Sequence, residues 1–175
     1  MALFKTGQFR DAHDVLTRVV QIEANAKRDD LFAMLGECQL ALGQPREARL
    51  SFETDTTADP LSASAWRGLG RAALDAGDNR RAELALTKLL KLDPGQAQNH
   101  LLLGYLMVQK SELDTALKSF KTASALDPSD TAALCMIGYV YEKQKKPEMA
   151  GLYYGKALQL RPGDEMARRL MAGLE

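Results

Sequence analysis

The chain has 175 residues, 46% apolar and 26% charged, the composition of an ordinary folded protein. Its 23 Lys+Arg balance its 23 Asp+Glu, which argues against nucleic acid or an anionic membrane as the main partner, since both reward a strong basic excess. A chain of this length buries roughly two-thirds of its unfolded surface and needs neither metal nor disulfides for stability.

The two cysteines, Cys38 and Cys135, form no disulfide framework and no zinc-ligand pattern. The longest apolar runs, 101–108 and 134–141, fall far short of the about twenty residues of a membrane span. The N-terminus has no basic flank and no long apolar stretch, so no signal peptide is expected. These features point to a soluble protein, cytoplasmic or periplasmic, without direct membrane insertion.

The sequence repeats itself every 34 residues. Gly36, Gly70, Gly104 and Gly138 form one series, Ala48, Ala82, Ala116 and Ala150 a second, and Pro60, Pro94, Pro128 and Pro162 a third. Taken in order, 1–28 is expected to hold a partial repeat, because Gly7, Phe9, Ala12 and Leu16 reproduce the end of a unit. The chain is therefore expected to begin inside a repeat. Four full units follow at 29–62, 63–96, 97–130 and 131–164. Within them apolar residues step by three and four, as in Ala63, Trp66, Leu69, Ala73 and then Ala82, Leu86, Leu89, which predicts two amphipathic helices per unit.

Gly43 and Gly77 are expected to end first helices in the left-handed conformation. Ser111 and Lys145 hold that place in the later units, so a different turn is expected there. The Pro series stops the second helices, and Ser62 and Ser129 offer caps for the next ones. Over 165–175, Asp164 is expected to cap a final helix bearing Met166, Leu170 and Leu174, which closes the stack with a wetter face. The recurring Gly and Ala are expected where the first helix of a unit crosses the second, since a larger side chain would push the axes apart.

Trp66-x₂-Leu69-Gly70, Phe32-x₂-Leu35-Gly36 and Leu134-x₂-Ile137-Gly138-x₂-Tyr141, with Ala48-x₃-Phe52, Ala116-x₃-Phe120 and Ala150-x₃-Tyr154, resemble the tetratricopeptide repeat (TPR) over essentially the whole length. His100 and Met107 are departures in the third unit. The resemblance implies an all-α fold, a right-handed α-solenoid of antiparallel helix pairs forming one domain.

Chemistry is sparse. Gly68-Leu-Gly70-Arg-Ala-Ala73 spells a nucleotide-binding string, but it lies inside a helix with no strand before it. His13 and His100 have no ligand partners at suitable spacing, and His100 takes a packing position. Both cysteines read as small apolar filler. Asp29 and Asp30 favour a helix start. Lys143, Lys145 and Lys146, with Arg161, Arg168 and Arg169, solvate helix ends. Neither enzymatic activity nor a cofactor or metal is expected.

In TPR proteins the first helices line a concave groove that holds a peptide or a partner helix. The resemblance therefore implies candidate partner-binding positions at Ala33 and Glu37, Arg67 and Arg71, Leu101 and Tyr105, and Cys135 and Tyr139. Glu37, Arg67 and Arg71 make a charged end, where two arginines one turn apart suit a carboxylate unless Glu37 neutralises them. Leu101, Tyr105, Cys135 and Tyr139 make an apolar end with two phenols, which favour interfaces unless they stack on neighbouring repeats. The co-chaperone clamp for a C-terminal carboxylate is incomplete, because Ala33 and Glu37 replace its Lys and Asn. The function implied is a scaffold or adaptor binding another protein, in a bacterial assembly process such as pilus, secretion, envelope or organelle formation. A self-assembling scaffold, and the targeting arm of a larger enzyme, are the alternatives.

Overall fold

The computed structural model describes residues 8–22 and 31–174. Gly7, Asp29, Asp30 and the expected boundary at residue 29 lie outside them. Among the described residues there are ten helices and no strand: α1 Phe9–Ile22, α2 Leu31–Ala41, α3 Pro45–Ala58, α4 Ala63–Asp75, α5 Asn79–Leu92, α6 Ala97–Gln109, α7 Leu113–Leu126, α8 Thr131–Lys143, α9 Pro147–Leu160 and α10 Glu165–Ala172. The chain divides into two compact units, Met1–Leu92 and Asp93–Glu175.

In the first unit α1 packs on α2, α2 on α3, α3 on α4 and α4 on α5. Ala12 and Leu16 of α1 are buried against Leu31, Leu35 and Cys38. Phe52 of α3 lies in a second cluster with Ala48, Leu69, Ala72 and Ala85. A Cβ placed on Gly36 would come within 2.7 Å of the Phe52 ring, and one on Gly70 within 2.7 Å of Leu86. Glycine is thus required by the close approach of α2 to α3 and of α4 to α5. Glu53 ties α3 to α5: it accepts hydrogen bonds from Arg49 at 2.7 Å and Arg81 at 2.8 Å. Asp78 receives the Arg81 backbone N–H and guanidinium, and both contacts hold its carboxyl below the usual range.

In the second unit α6 packs on α7, α7 on α8, α8 on α9, and α10 closes against α8 and α9. Gly104 meets Phe120, and Gly138 meets Tyr154 and the Ala150 carbonyl. Asp164 caps α10 by accepting the Ala167 N–H at 2.9 Å, and it also accepts the Thr131 hydroxyl at 2.6 Å. The residue of α10 that enters the core is Ala167, fully buried beside Leu134, Cys135 and Ala157. Met166 stays exposed, Leu170 is partly buried against that cluster, and Arg168 faces water.

Two expectations about turns need correction. Ser111 (φ 62°) and Lys145 (φ 59°) make the same left-handed turn as Gly43 (71°) and Gly77 (73°), not a different one. The hydrogen bonds are identical in pattern. Gly43 N–H donates to Leu40 O and Gln44 N–H to Gln39 O, while Ser111 N–H donates to Val108 O and Glu112 N–H to Met107 O. Two backbone bonds per turn, in a frame fixed by the helices on both sides, outweigh the cost of about 1–2 kcal/mol of a side chain in this region. The cap of α8 is Asp130, which accepts the Ala132 N–H at 2.9 Å. Ser129 instead turns its backbone N–H and hydroxyl onto Asp127, whereas Ser62 caps α4 as expected.

His100 also gains an explanation. Its Nε2 lies 2.8 Å from the Pro94 carbonyl, just as Trp66 Nε1 lies 2.9 Å from the Pro60 carbonyl. A carbonyl only accepts, so Nε2 carries the proton. Histidine replaces tryptophan because both place a ring N–H over the turn six residues back.

The left-handed residues give a direct test. Ser111→Gly and Lys145→Gly should each stabilise the chain by about 1 kcal/mol, read as a rise in the denaturation midpoint. A fall at both positions would mean that the side chains contribute more than the strain costs.

Candidate partner-binding site

The first helices carry the candidate residues at one-turn spacing. In the first unit α2 and α4 touch each other. They carry Ala33 and Glu37, and Arg67 and Arg71 respectively. Ala33 packs against the Phe52 cluster. Glu37 and Arg67 are half-buried and Arg71 is exposed. No ion pair between Glu37 and either arginine occurs among the described residues.

In the second unit the structure separates the four candidates. Leu101 is 3% exposed and Cys135 not at all, so both belong to the interior. A count of helical positions tells which way a side chain points, and does not tell whether another helix covers it. Cys135 packs with Leu134, Ala157 and Ala167, and burial, with the Asp164 and Asp130 carboxylates adding to it, pushes its thiol up to about 11. Cys38 is also raised, by burial and then Glu37. Both thiols stay protonated at neutral pH.

Tyr105 and Tyr139 remain half-exposed on α6 and α8. Tyr105 stands edge-on to Phe120, with centroids 5.5 Å apart. Burial, and then the Asp130 carboxylate, raise its phenol, which keeps it a hydrogen-bond donor. The Tyr139 ring carries the Lys143 ammonium at 5.1 Å. Stacking and surface availability therefore coexist at Tyr105, whose ring is held on one side by Phe120 and open on another, while Tyr139 meets a lysine of its own helix. Phe120 and Lys143 were missed as supports in the sequence. The i, i+4 spacing of Tyr139 and Lys143 is the signal that would have found one of them.

The nucleotide-binding string is explained by packing. Gly68 presses on Phe52 from the α4 side while Gly36 presses from α2. The ring is clasped between two helices at the place where the string is found, and no phosphate-binding turn exists there. Among the described residues no group of three His, Cys, Asp or Glu could hold a metal ion. No described helix is long and apolar enough to cross a membrane.

Residues 2–174 match the family of the cilia and flagella-associated protein 70 C-terminal domain, a TPR domain. The chain belongs to this family. No curated protein matches the sequence significantly. Among solved structures, MamA is 24% identical, with a TM-score of 0.79 over 92% of this chain and 93% of that one. A thermophilic TPR protein of Thermus thermophilus is 22% identical, with a TM-score of 0.81 over 99% and 93%. YrrB, described as a TPR protein with an unusual peptide-binding site, is 18% identical, with a TM-score of 0.75 over 96% and 86%. At these identities the likeness shows the fold alone, an all-α TPR solenoid.

Burial of the thiols makes a testable statement. At pH 8 in native buffer a thiol reagent should label neither Cys38 nor Cys135 within minutes, and denaturant should release two equivalents at once. Rapid native labelling of Cys135 would place it at the surface.

Proposed function

We propose that this TPR protein is a non-enzymatic scaffold or adaptor that holds a peptide segment or helix of another protein on its first-helix surfaces. The observation that carries this reading is the pair Tyr105 and Tyr139. Tyr105 stands against Phe120 and Tyr139 lies under the Lys143 ammonium, and both remain half-exposed on first helices of the second unit. A ring already packed, as Tyr105 is on Phe120, loses little freedom on binding, so its burial is retained as affinity. The arginine pair on α4 offers the first unit a charged contact for a carboxylate. That a neighbour of the same fold has a peptide-binding site supports a peptide as the ligand class.

The setting we propose is assembly of a larger structure. The sequence suggested a bacterial one and the family takes its name from a ciliary protein, so the surface chemistry, not the setting, carries the reading.

A photo-crosslinking residue at position 139, introduced in cells of the source organism, should yield a defined adduct with another protein. The same residue at position 118, on a second helix, should not. Arg67→Glu with Arg71→Glu, or Tyr105→Ala, should lower adduct yield about tenfold without loss of helicity. Adducts only with a second copy of the chain, together with light scattering that grows with concentration, would replace the adaptor by the self-assembling scaffold. Adducts at 118 and none at 139 would move the site off the first helices.

A further inference from the structure

On α5, Arg80, Leu84, Lys88 and Lys91 follow one another at i, i+4, i+8 and i+11 and form one stripe along the helix. With Pro60 and Trp66 they line a surface cleft of about 570 Å³. Leu84 is 62% exposed there. Trp66 has its only donor already committed to the Pro60 carbonyl, so the indole offers the cleft apolar surface. Among the described residues no ion pair engages Arg80, Lys88 or Lys91, and Glu83 is the one carboxylate on the rim.

The other repeats act as internal controls. Trp66 is replaced by Phe32, His100 and Leu134 at the same register, and Leu84 by Leu50, Lys118 and Leu152. Arg80 becomes Arg46, Asp114 and Glu148. Lys88 becomes Thr54, Thr122 and Lys156, and Lys91 becomes Thr57, Ala125 and Gln159. The fold therefore tolerates neutral or acidic residues wherever the cleft has a cation. The corresponding cleft of the preceding repeat, about 540 Å³ and lined by Leu50, Glu53, Thr54 and Thr57 among others, has no cation among its described residues. Among the described residues this cleft alone combines an indole, an exposed leucine and three cations in no ion pair.

We propose that this cleft binds an acidic peptide segment of a partner protein. One apolar side chain of the segment packs on Trp66 and Leu84, and flanking carboxylates meet Arg80, Lys88 and Lys91. The apolar floor supplies affinity, and the cations select for acidic partners and speed their arrival. The site runs along α5 with Trp66 of α4 as part of its floor, and it shares none of the candidate residues Glu37, Arg67, Arg71, Tyr105 and Tyr139, so the two readings stand or fall separately.

Trp66 is the only tryptophan, and its emission reports on the cleft directly. The whole chain is titrated with a capped peptide in which one central Phe is flanked by Asp and Glu. A saturable change in emission is expected, with binding about tenfold weaker when Ala replaces the Phe and no response to a Lys-flanked peptide. Leu84→Lys, and Lys88→Thr with Lys91→Thr, borrow residues that other repeats carry at the same positions, so folding is retained. Each should weaken binding about tenfold, while Arg67→Glu with Arg71→Glu should leave it unchanged. Three results would overturn the proposal. One is no saturable response to the acidic peptide. Another is equal binding of the Phe and Ala peptides, which would indicate attraction of any polyanion. The last is an emission change on concentrating the chain alone, accompanied by growth in light scattering, which would make the occupant a second copy.

Discussion

The contact on which the rest depends is a glycine of each first helix lying against one large side chain of the second. Gly36 and Phe52, Gly70 and Leu86, Gly104 and Phe120, and Gly138 and Tyr154 are the same contact made four times. Each glycine costs about 1 kcal/mol of helix propensity against alanine. What offsets this is the near-complete burial of a ring or branched chain, a gain of roughly 1.5–3 kcal/mol for each. Phe52, Leu86, Phe120 and Tyr154 are all 1% exposed or less. Tyr154 shows how fully the space is used: its hydroxyl donates to Glu142 at 3.0 Å, so even its polar tip is satisfied inside the pair.

Because that contact recurs at a fixed period, it was legible before any coordinates, and so were the helix pairs and the closing helix. Features that do not recur were harder. Gly68 has Met34, Leu102 and Met136 at its register in the other repeats, so nothing periodic announced that it clasps Phe52. Ser111 and Lys145 were misread because glycine is a sufficient but not a necessary residue for a left-handed turn. The flanking helices impose the backbone, and the side chain tolerates it. Asp130 was passed over for Ser129 because both can cap, and the choice rests on one residue of register.

The candidate site was half legible. Position within the repeat found the helices and the spacing, and correctly left Glu37, Arg71, Tyr105 and Tyr139 with accessible surface. It could not foresee that Leu101 and Cys135, at the same register as Arg67, are buried. The cleft at Trp66 escaped for the opposite reason. Trp66 matched the repeat pattern so well that packing accounted for it fully, while the signal lay in Leu84, an apolar residue set among Arg80, Lys88 and Lys91 on the outer stripe of α5. In a repeat protein, the residues that the stack does not require are where binding chemistry can be placed without cost to the fold.

The most direct test of the packing account is Gly138→Ala. Helix propensity alone predicts a gain of about 1 kcal/mol. The structure predicts the reverse, a loss of about 1–3 kcal/mol, because the added methyl would overlap the Tyr154 ring and lie 3.1 Å from the Ala150 carbonyl. That ring cannot swing aside while Glu142 holds its hydroxyl. A lowered denaturation midpoint with unchanged helicity is the result expected. An unchanged or raised midpoint would mean that the close approach of paired helices is not what holds this chain together.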